Sequence, residues 1–389
     1  MHIDPRDALL CVHDPREGQP PHPTSTPVVQ TSLFSFPSLE DLAEAYSDPR
    51  SHRLYTRGQN PTVEVLEEKL AELERGEACK AFASGMAAVS AVFLGLLEAG
   101  DHIVFLNDTY GPTMQLARHL RRFGIEHSVV RQLDPRALEE ALTPATRLIW
   151  VESPGTMLFR VVDLAAVAGL ARARGITTAI DNSWTTPLLQ KPLLHGFDIV
   201  MHTATKYLAG HSDLVAGAVV TDHDRMERIF YRAFLLNGAI LSPWDAWLAL
   251  RGMRTLPARL REHEASAWAL AQTLAEHPAV AAVHHPALTG DPDLVARQMS
   301  GFTGVFSFTL ADGSWEAVRT VVDALEHFRI GVSWGGVESL AISPQRPGNE
   351  PSLAGRGLPS GLIRLSIGLE GTGLLEADLL QALSRLSAG

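Results

Sequence analysis

Apolar residues recur along this chain in two alternating periods. Val63, Leu66, Leu70 and Leu73 fall three or four positions apart, the spacing of one helix face. Asn60-Pro61, just ahead, supplies a capping side chain and a proline suited to a first helical turn. Gly76 is expected to stop this helix. Beyond it, short continuous apolar runs alternate with helical stretches. The pattern predicts helices over 87–97, 112–123 and 163–174, and strands over 102–106, 147–151, 176–180, 198–202 and 216–221. Such alternation predicts a mostly parallel sheet covered on both faces. Sheets of that kind bind ligands at the carboxyl ends of their strands. Glu152, Asp181 and the run Asn107-Asp108-Thr109-Tyr110 fall at such ends.

From about residue 260 the pattern changes to a helix over 264–275 and strands over 305–310 and 363–367, which suggests a smaller α+β domain. A helical stretch carrying Arg251, Arg254, Arg259 and Arg261 leads into it. The expected division is an N-terminal arm over 1–60, an α/β domain over 61–255 and the α+β domain over 256–389. The first sixty residues read as irregular, since the prolines between Pro20 and Pro27 forbid a regular helix or central strand. They suggest an arm lying on another subunit.

Composition narrows the partners. A formal charge of −11 over 389 residues argues against nucleic acid or an anionic membrane. Two cysteines, Cys11 and Cys79, make neither a disulfide framework nor a metal-ligand spacing. The charged N-terminus has no apolar signal-peptide core, and no run of about 18 apolar residues suggests a membrane span. A cytoplasmic setting is expected.

Chemistry concentrates in His202-Thr203-Ala204-Thr205-Lys206-Tyr207, preceded by Ile180-Asp181-Asn182. A lysine in an apolar run, two hydroxyls that could hold a phosphate and a carboxylate that could hold a pyridine nitrogen are the parts of a pyridoxal 5'-phosphate (PLP) site. Lys206 would be the Schiff-base lysine, with an exposed loop lysine as the rival reading. Asp181 would partner the ring nitrogen or merely cap a turn. Ser84-Gly85-Met86 could bring backbone amides to a phosphate at a helix N-terminus, or form a plain cap with a packing glycine. Tyr110 could stack on the ring or cover core. Tyr55 and Arg57 could bind phosphate or belong to a turn. Arg364, a charge inside an apolar strand run, could grip a substrate carboxylate or form a structural ion pair. Gly331-Val332-Ser333-Trp334-Gly335 matches a hydrolase nucleophile elbow, but no histidine follows Ser333 to complete that machinery.

Taken in order, Tyr55-x-Arg57-x-x-Asn60-Pro61-Thr62, Ser84-Gly85-Met86-Ala87, Tyr110-Gly111, Glu152-Ser153-Pro154, Asp181-Asn182, Ala204-Thr205-Lys206-Tyr207, Arg251-Gly252-x-Arg254, Ser333-Trp334-Gly335-Gly336 and Arg364-Leu365-Ser366 resemble the trans-sulfuration family of PLP enzymes. The resemblance implies the aspartate-aminotransferase type of fold, α/β with a large mostly parallel sheet domain and a smaller C-terminal α+β domain. It implies PLP held by Lys206, Asp181, Tyr110, Gly85, Met86, Thr203 and Thr205. It also implies a homotetramer of two dimers in which Tyr55 and Arg57 reach the neighbour's phosphate. Ser333, Trp334 and Arg364 would meet a small sulfur amino acid, with Lys206 and Tyr110 as catalytic residues. Within the family, Val332, Trp334, Pro112 and the departure at Gly155-Thr156 point toward a carbon–sulfur β-lyase that cleaves cystathionine to homocysteine, pyruvate and ammonia. The alternatives are a cystathionine γ-synthase, a γ-lyase or a homoserine-ester sulfhydrylase, and more remotely a PLP-fold protein without turnover.

Overall fold

In the computed structural model, residues 1–16, 23–50 and 52–387 are described. Residues 20–22 of the proline-rich segment therefore lie outside the described residues. The helix read from Val63, Leu66, Leu70 and Leu73 spans Pro61–Glu74, and all four are buried. Asn60 accepts the Thr62 N–H at 3.0 Å and so satisfies one of the helix's free amides. The helix ends differently from expectation. Arg75, not Gly76, takes the left-handed conformation, with φ of 63°. Gly76 is small for a packing reason: a Cβ there would lie 2.3 Å from Val220.

Seven strands form the larger sheet: β1 (Ala78–Phe82), β2 (His102–Leu106), β3 (Glu126–Val130), β4 (Thr146–Glu152), β5 (Thr177–Asp181), β6 (Ile199–His202) and β7 (Gly217–Thr221). Their spatial order is β1-β7-β6-β5-β4-β2-β3. The run from β3 to β6 is parallel, while β7 is antiparallel to both neighbours. Strands β2 and β7 are buried along their whole length, as their mostly apolar sequences require, with the terminal His102 and Thr221 hydrogen-bonded. Two apolar clusters, one around Phe93, Phe105 and Trp150 and the other around Val104, Ile149 and Ile180, cover the sheet. Strand β3 was not foreseen, because as an edge strand it is half-exposed and carries no apolar run.

The smaller sheet comprises β8 (Val280–His284), β9 (Val305–Leu310), β10 (Arg329–Ile330), β11 (Leu340–Ile342) and β12 (Leu362–Ser366), in the order β10-β11-β12-β9-β8. All its pairs are antiparallel except β10 with β11. The helix Leu256–Glu276 and the helix Thr372–Ser384 pack on it around Phe306, Phe308 and Leu379.

The N-terminal sixty residues are less irregular than expected, with helices at Pro5–Val12 and Leu39–Ser47. The first helix rests on its own chain. Cys11 is fully buried in the core that includes Leu66 and Leu70, and Asp14 pairs at 2.7 Å with Lys69, whose side chain is fully buried.

Candidate active site

The carboxyl ends of β4, β5 and β6 open onto a cavity of about 230 Å³. Lys206 follows β6 in a turn held by its own backbone, with its amide donating to Thr203 and its carbonyl accepting from Gly210. Its Nζ donates to Ser333 Oγ at 2.8 Å and stands 5.2 Å from the centre of the Trp334 ring. Burial pushes the amine down to about 8; Arg364 reinforces that shift and Asp181 opposes it. A lysine so placed reaches its nucleophilic, basic form near neutral pH.

Asp181 ends β5. Its Oδ1 accepts from the backbone N–H of Ser183 at 2.9 Å and from the Ser183 hydroxyl at 2.5 Å. Its Oδ2 has no hydrogen bond among the described residues and borders the cavity. Burial raises this carboxyl, against the Ser183 bonds and, more weakly, His202 and Lys206. A cation placed against Oδ2 would reverse that direction. The turn reading also holds, since the Ser183 bonds are those of a turn, and the two roles use different oxygens.

The helix Gly85–Leu96 points its N-terminus into the cavity. Ser84 caps it by accepting the Ala87 N–H at 3.0 Å, which leaves its first amides without intrahelical partners. A Cβ at Gly85 would lie 2.3 Å from Thr203 Oγ1, so any larger residue would fill the space between helix and turn. Met86, Thr203 and Thr205 line the same wall. Thr205 is committed to the fold, because its hydroxyl donates to the Ala216 carbonyl and accepts the Ala216 N–H. Thr203 Oγ1 makes no such commitment.

Tyr110 lies at the start of the helix Gly111–Leu120, 47% exposed, with its side chain on the cavity wall. Burial raises its phenol, with Arg364 opposing. Arg364 sits in the middle of β12 and is buried. Its Nη2 donates to the Val332 carbonyl at 3.0 Å and its Nη1 approaches Met157 Sδ at 3.9 Å. No carboxylate pairs with it within 4.0 Å among the described residues, so the structural ion pair is not formed. Burial lowers its guanidinium to about 10. An unpaired buried cation of this kind calls for an anion.

Eight of the foreseen residues therefore border one cavity: Gly85, Met86, Tyr110, Asp181, Thr203, Thr205, Lys206 and Trp334. Ser333 joins them through Lys206. Tyr55 and Arg57 do not line it; both are exposed, in a turn after Leu54. Ser183 was absent from the sequence reading, and Glu152 entered it only by its place at a strand end and in the Glu152-Ser153-Pro154 run, with no task assigned. Ser183 holds Asp181 and also accepts the Thr203 N–H at 2.6 Å. Glu152 accepts the Tyr110 N–H at 2.7 Å. The signal for both was position, one at a strand end and one just beyond.

An amine of lowered basicity, a half-tied carboxyl in the same cavity and a helix N-terminus beside a free hydroxyl are groups that an anionic, carbonyl-bearing ligand could use. Comparison with known proteins names the class. The model of the Cys/Met metabolism PLP-dependent enzymes matches residues 9–384, and the chain belongs to that family. It is 41% identical to the L-methionine gamma-lyase of Pseudomonas putida, over 92% of each chain. It is 38% identical to a cystathionine gamma-synthase of Mycobacterium tuberculosis, over 95% of this chain and 93% of the other. Among solved structures, the cystathionine gamma synthase of Xanthomonas oryzae pv. oryzae, in complex with aminoacrylate and cysteine, superposes with a TM-score of 0.90 at 38% identity, over 98% of both chains. The metB protein of Corynebacterium glutamicum gives the same TM-score at 35% identity, over 98% of this chain and all of the other. The fold is the expected one, and PLP is the cofactor. The residues present fit it: the cradle at Gly85 admits no side chain, and Asp181 Oδ2 awaits a donor. Among the described residues no helix is long and apolar enough to cross a membrane, and no cluster of side chains could hold a metal ion.

Proposed function

We propose that this chain breaks or exchanges the bond between sulfur, or a comparable leaving group, and the γ-carbon of an L-amino acid. The observation that carries the lyase reading is the amine of Lys206, held by Ser333 at 2.8 Å in a cavity that it shares with Asp181 and that Arg364 influences. The γ-position is supported by the relatives named above, a methionine gamma-lyase and two cystathionine gamma-synthases. Bound PLP supplies an electron sink for the negative charge left when the substrate α-carbon loses its proton.

The chain's residues do the rest. Gly85, Met86 and Thr203 bind the cofactor phosphate at the helix N-terminus, with Thr205 shaping that wall. Asp181 holds a proton on the ring nitrogen through Oδ2. Arg364 binds the substrate α-carboxylate, which orients the α-hydrogen toward Lys206. The Lys206 amine accepts that proton as general base. Because γ-chemistry also removes a proton from the β-carbon, the same amine serves both carbons in turn. Ser333 steadies the amine between transfers, Trp334 closes the cavity beside it, and Tyr110 covers the remaining face and can return a proton to the leaving group.

A second reading, β-elimination, keeps the support of Trp334 and Val332. Val332 is 81% exposed and offers no acid or base for the extra proton transfer. Incubation of the PLP-loaded chain with cystathionine separates the two. The γ-reading expects cysteine, 2-oxobutanoate and ammonia; pyruvate and homocysteine as the main products would replace it with the β-reading. The same proposal places Tyr55 and Arg57 in a neighbouring subunit's site within a homotetramer, divides the chain near residues 60 and 255, and sets it in the cytoplasm. The exposure of Tyr55 and Arg57 supports the first point, and two unpaired buried cysteines support the last.

A further inference from the structure

Glu152 borders the cavity and has no task in the chemistry above. It ends β4 in parallel register with Asp181 at the end of β5. Paired residues of parallel neighbours project to the same side, so the two carboxyls leave the sheet together, about 4.8 Å apart at the backbone. Glu152 is 5% exposed. Its Oε1 accepts the Tyr110 N–H at 2.7 Å, and its other oxygen makes no hydrogen bond among the described residues.

We propose that Glu152 works as an uncharged carboxylic acid, which positions Tyr110 through its backbone amide and presents an O–H donor to an oxygen acceptor of the bound ligand. The inference rests on the proposed roles of Tyr110 and Asp181 and holds whichever carbon is attacked. Two adjacent buried carboxyls do not both ionise without cations between them. Asp181 has the better claim to the charge. Two Ser183 bonds stabilise its anion, and His202 and Lys206 act in the same direction. The charged groups bearing on Glu152 are Asp181 from β5 and Asp108 from the segment after β2. Both push its carboxyl further up, beyond what burial does, and the Tyr110 amide alone opposes them. The proton therefore resides on Glu152.

The test uses the full-length chain loaded with PLP, in wild-type form and as Glu152→Gln and Glu152→Ala. Glutamine keeps an acceptor for the Tyr110 amide and a donor for the cavity, without charge. Glu152→Gln is expected to keep the PLP dissociation constant within about threefold and kcat/KM within about tenfold, with both limbs of the pH profile unmoved. Glu152→Ala is expected to lose more than tenfold in each. Infrared difference spectra of wild type minus Glu152→Gln at pH 7 should show the carbonyl stretch of a protonated carboxyl. A carboxylate signature there overturns the inference, as does a folded Glu152→Gln chain that loses turnover a hundredfold. If Glu152→Ala does not fold, the glutamine variant and the infrared spectra still decide. Failure of the chain to cleave any sulfur amino acid would sink the proposed function and leave the infrared result standing.

Discussion

Lys206 Nζ and Ser333 Oγ meet at 2.8 Å although 127 positions separate them in the chain. Lys206 follows the sixth strand of the large sheet, and Ser333 lies between two strands of the small one. The amine that does the proposed chemistry is thus oriented from the other half of the molecule.

Lys206→Ala should remove the general base, a loss of about 10²–10⁴-fold in turnover at the least. It should also abolish the lysine-linked cofactor absorbance band. Ser333→Ala removes one hydrogen bond to an ionisable partner, worth about 1.5–3 kcal/mol. It should lower kcat more than it raises KM. Steady-state kinetics and an absorbance scan check both; a Lys206→Ala chain that retained band and turnover would sink the lysine assignment.

The Lys206 amine, lowered to about 8, has a measurable signature in the cofactor-free chain. Its acylation rate should rise through half-maximum near pH 8, and Arg364→Met should move that midpoint upward, because a neighbouring cation is lost. Folding should follow the same ionisation. Between about pH 8 and the unfolded value of 10.5, the unfolded lysine holds more protons than the folded one, so this group's contribution to stability rises with pH. The stability gap between wild type and Lys206→Met, measured by urea unfolding, should therefore shift in favour of wild type from pH 8 to 10.

Gly85→Ala should weaken PLP binding by tenfold or more, since its methyl would press on Thr203 Oγ1. Fluorescence titration of the cofactor-free chain measures this. Gly85→Ala with Thr203→Ser, which leaves Oγ in place, should recover little; a full recovery would show that the clash is with the Thr203 methyl.

His263 and His285 give an acid-stability prediction. Burial lowers each to about 4. The Nε2 of each is buried without a partner, so protonation in the fold is costly. Between about pH 6.5 and 4 the unfolded chain takes up protons that the folded one refuses. The stability these groups contribute is complete above pH 6.5 and lost on falling to 4, at up to about 1.4 kcal/mol per pH unit for each. Thermal midpoints of the cofactor-free chain should drop over that range, and less steeply in His263→Gln.

The large sheet was legible because its central strands are buried on both faces and so carry continuous apolar runs, as in Ile103–Leu106. The strands missed, β1 and β3, lie at the two edges and mix polar with apolar positions. The site was legible as far as residue type announced chemistry, which is why Lys206, Asp181 and Arg364 could be named beforehand. Ser183 could not, and Glu152 could be placed at a strand end but given no task, since a serine in a turn and a glutamate at a strand end are ordinary until the fold sets them against Asp181 and Tyr110. The helix stop was misplaced for a similar reason. Gly76 looks like a terminator by sequence, but its missing side chain makes room for Val220, and Arg75 bears the left-handed turn.

Arg364 stands on the small sheet with no acidic partner within 4.0 Å among the described residues, far along the chain from the lysine. The amine and the phosphate cradle belong to the large sheet, whereas this guanidinium comes from the small one. On the role proposed for Arg364, preference for an amino acid over a simple amine is set by the C-terminal part of the chain.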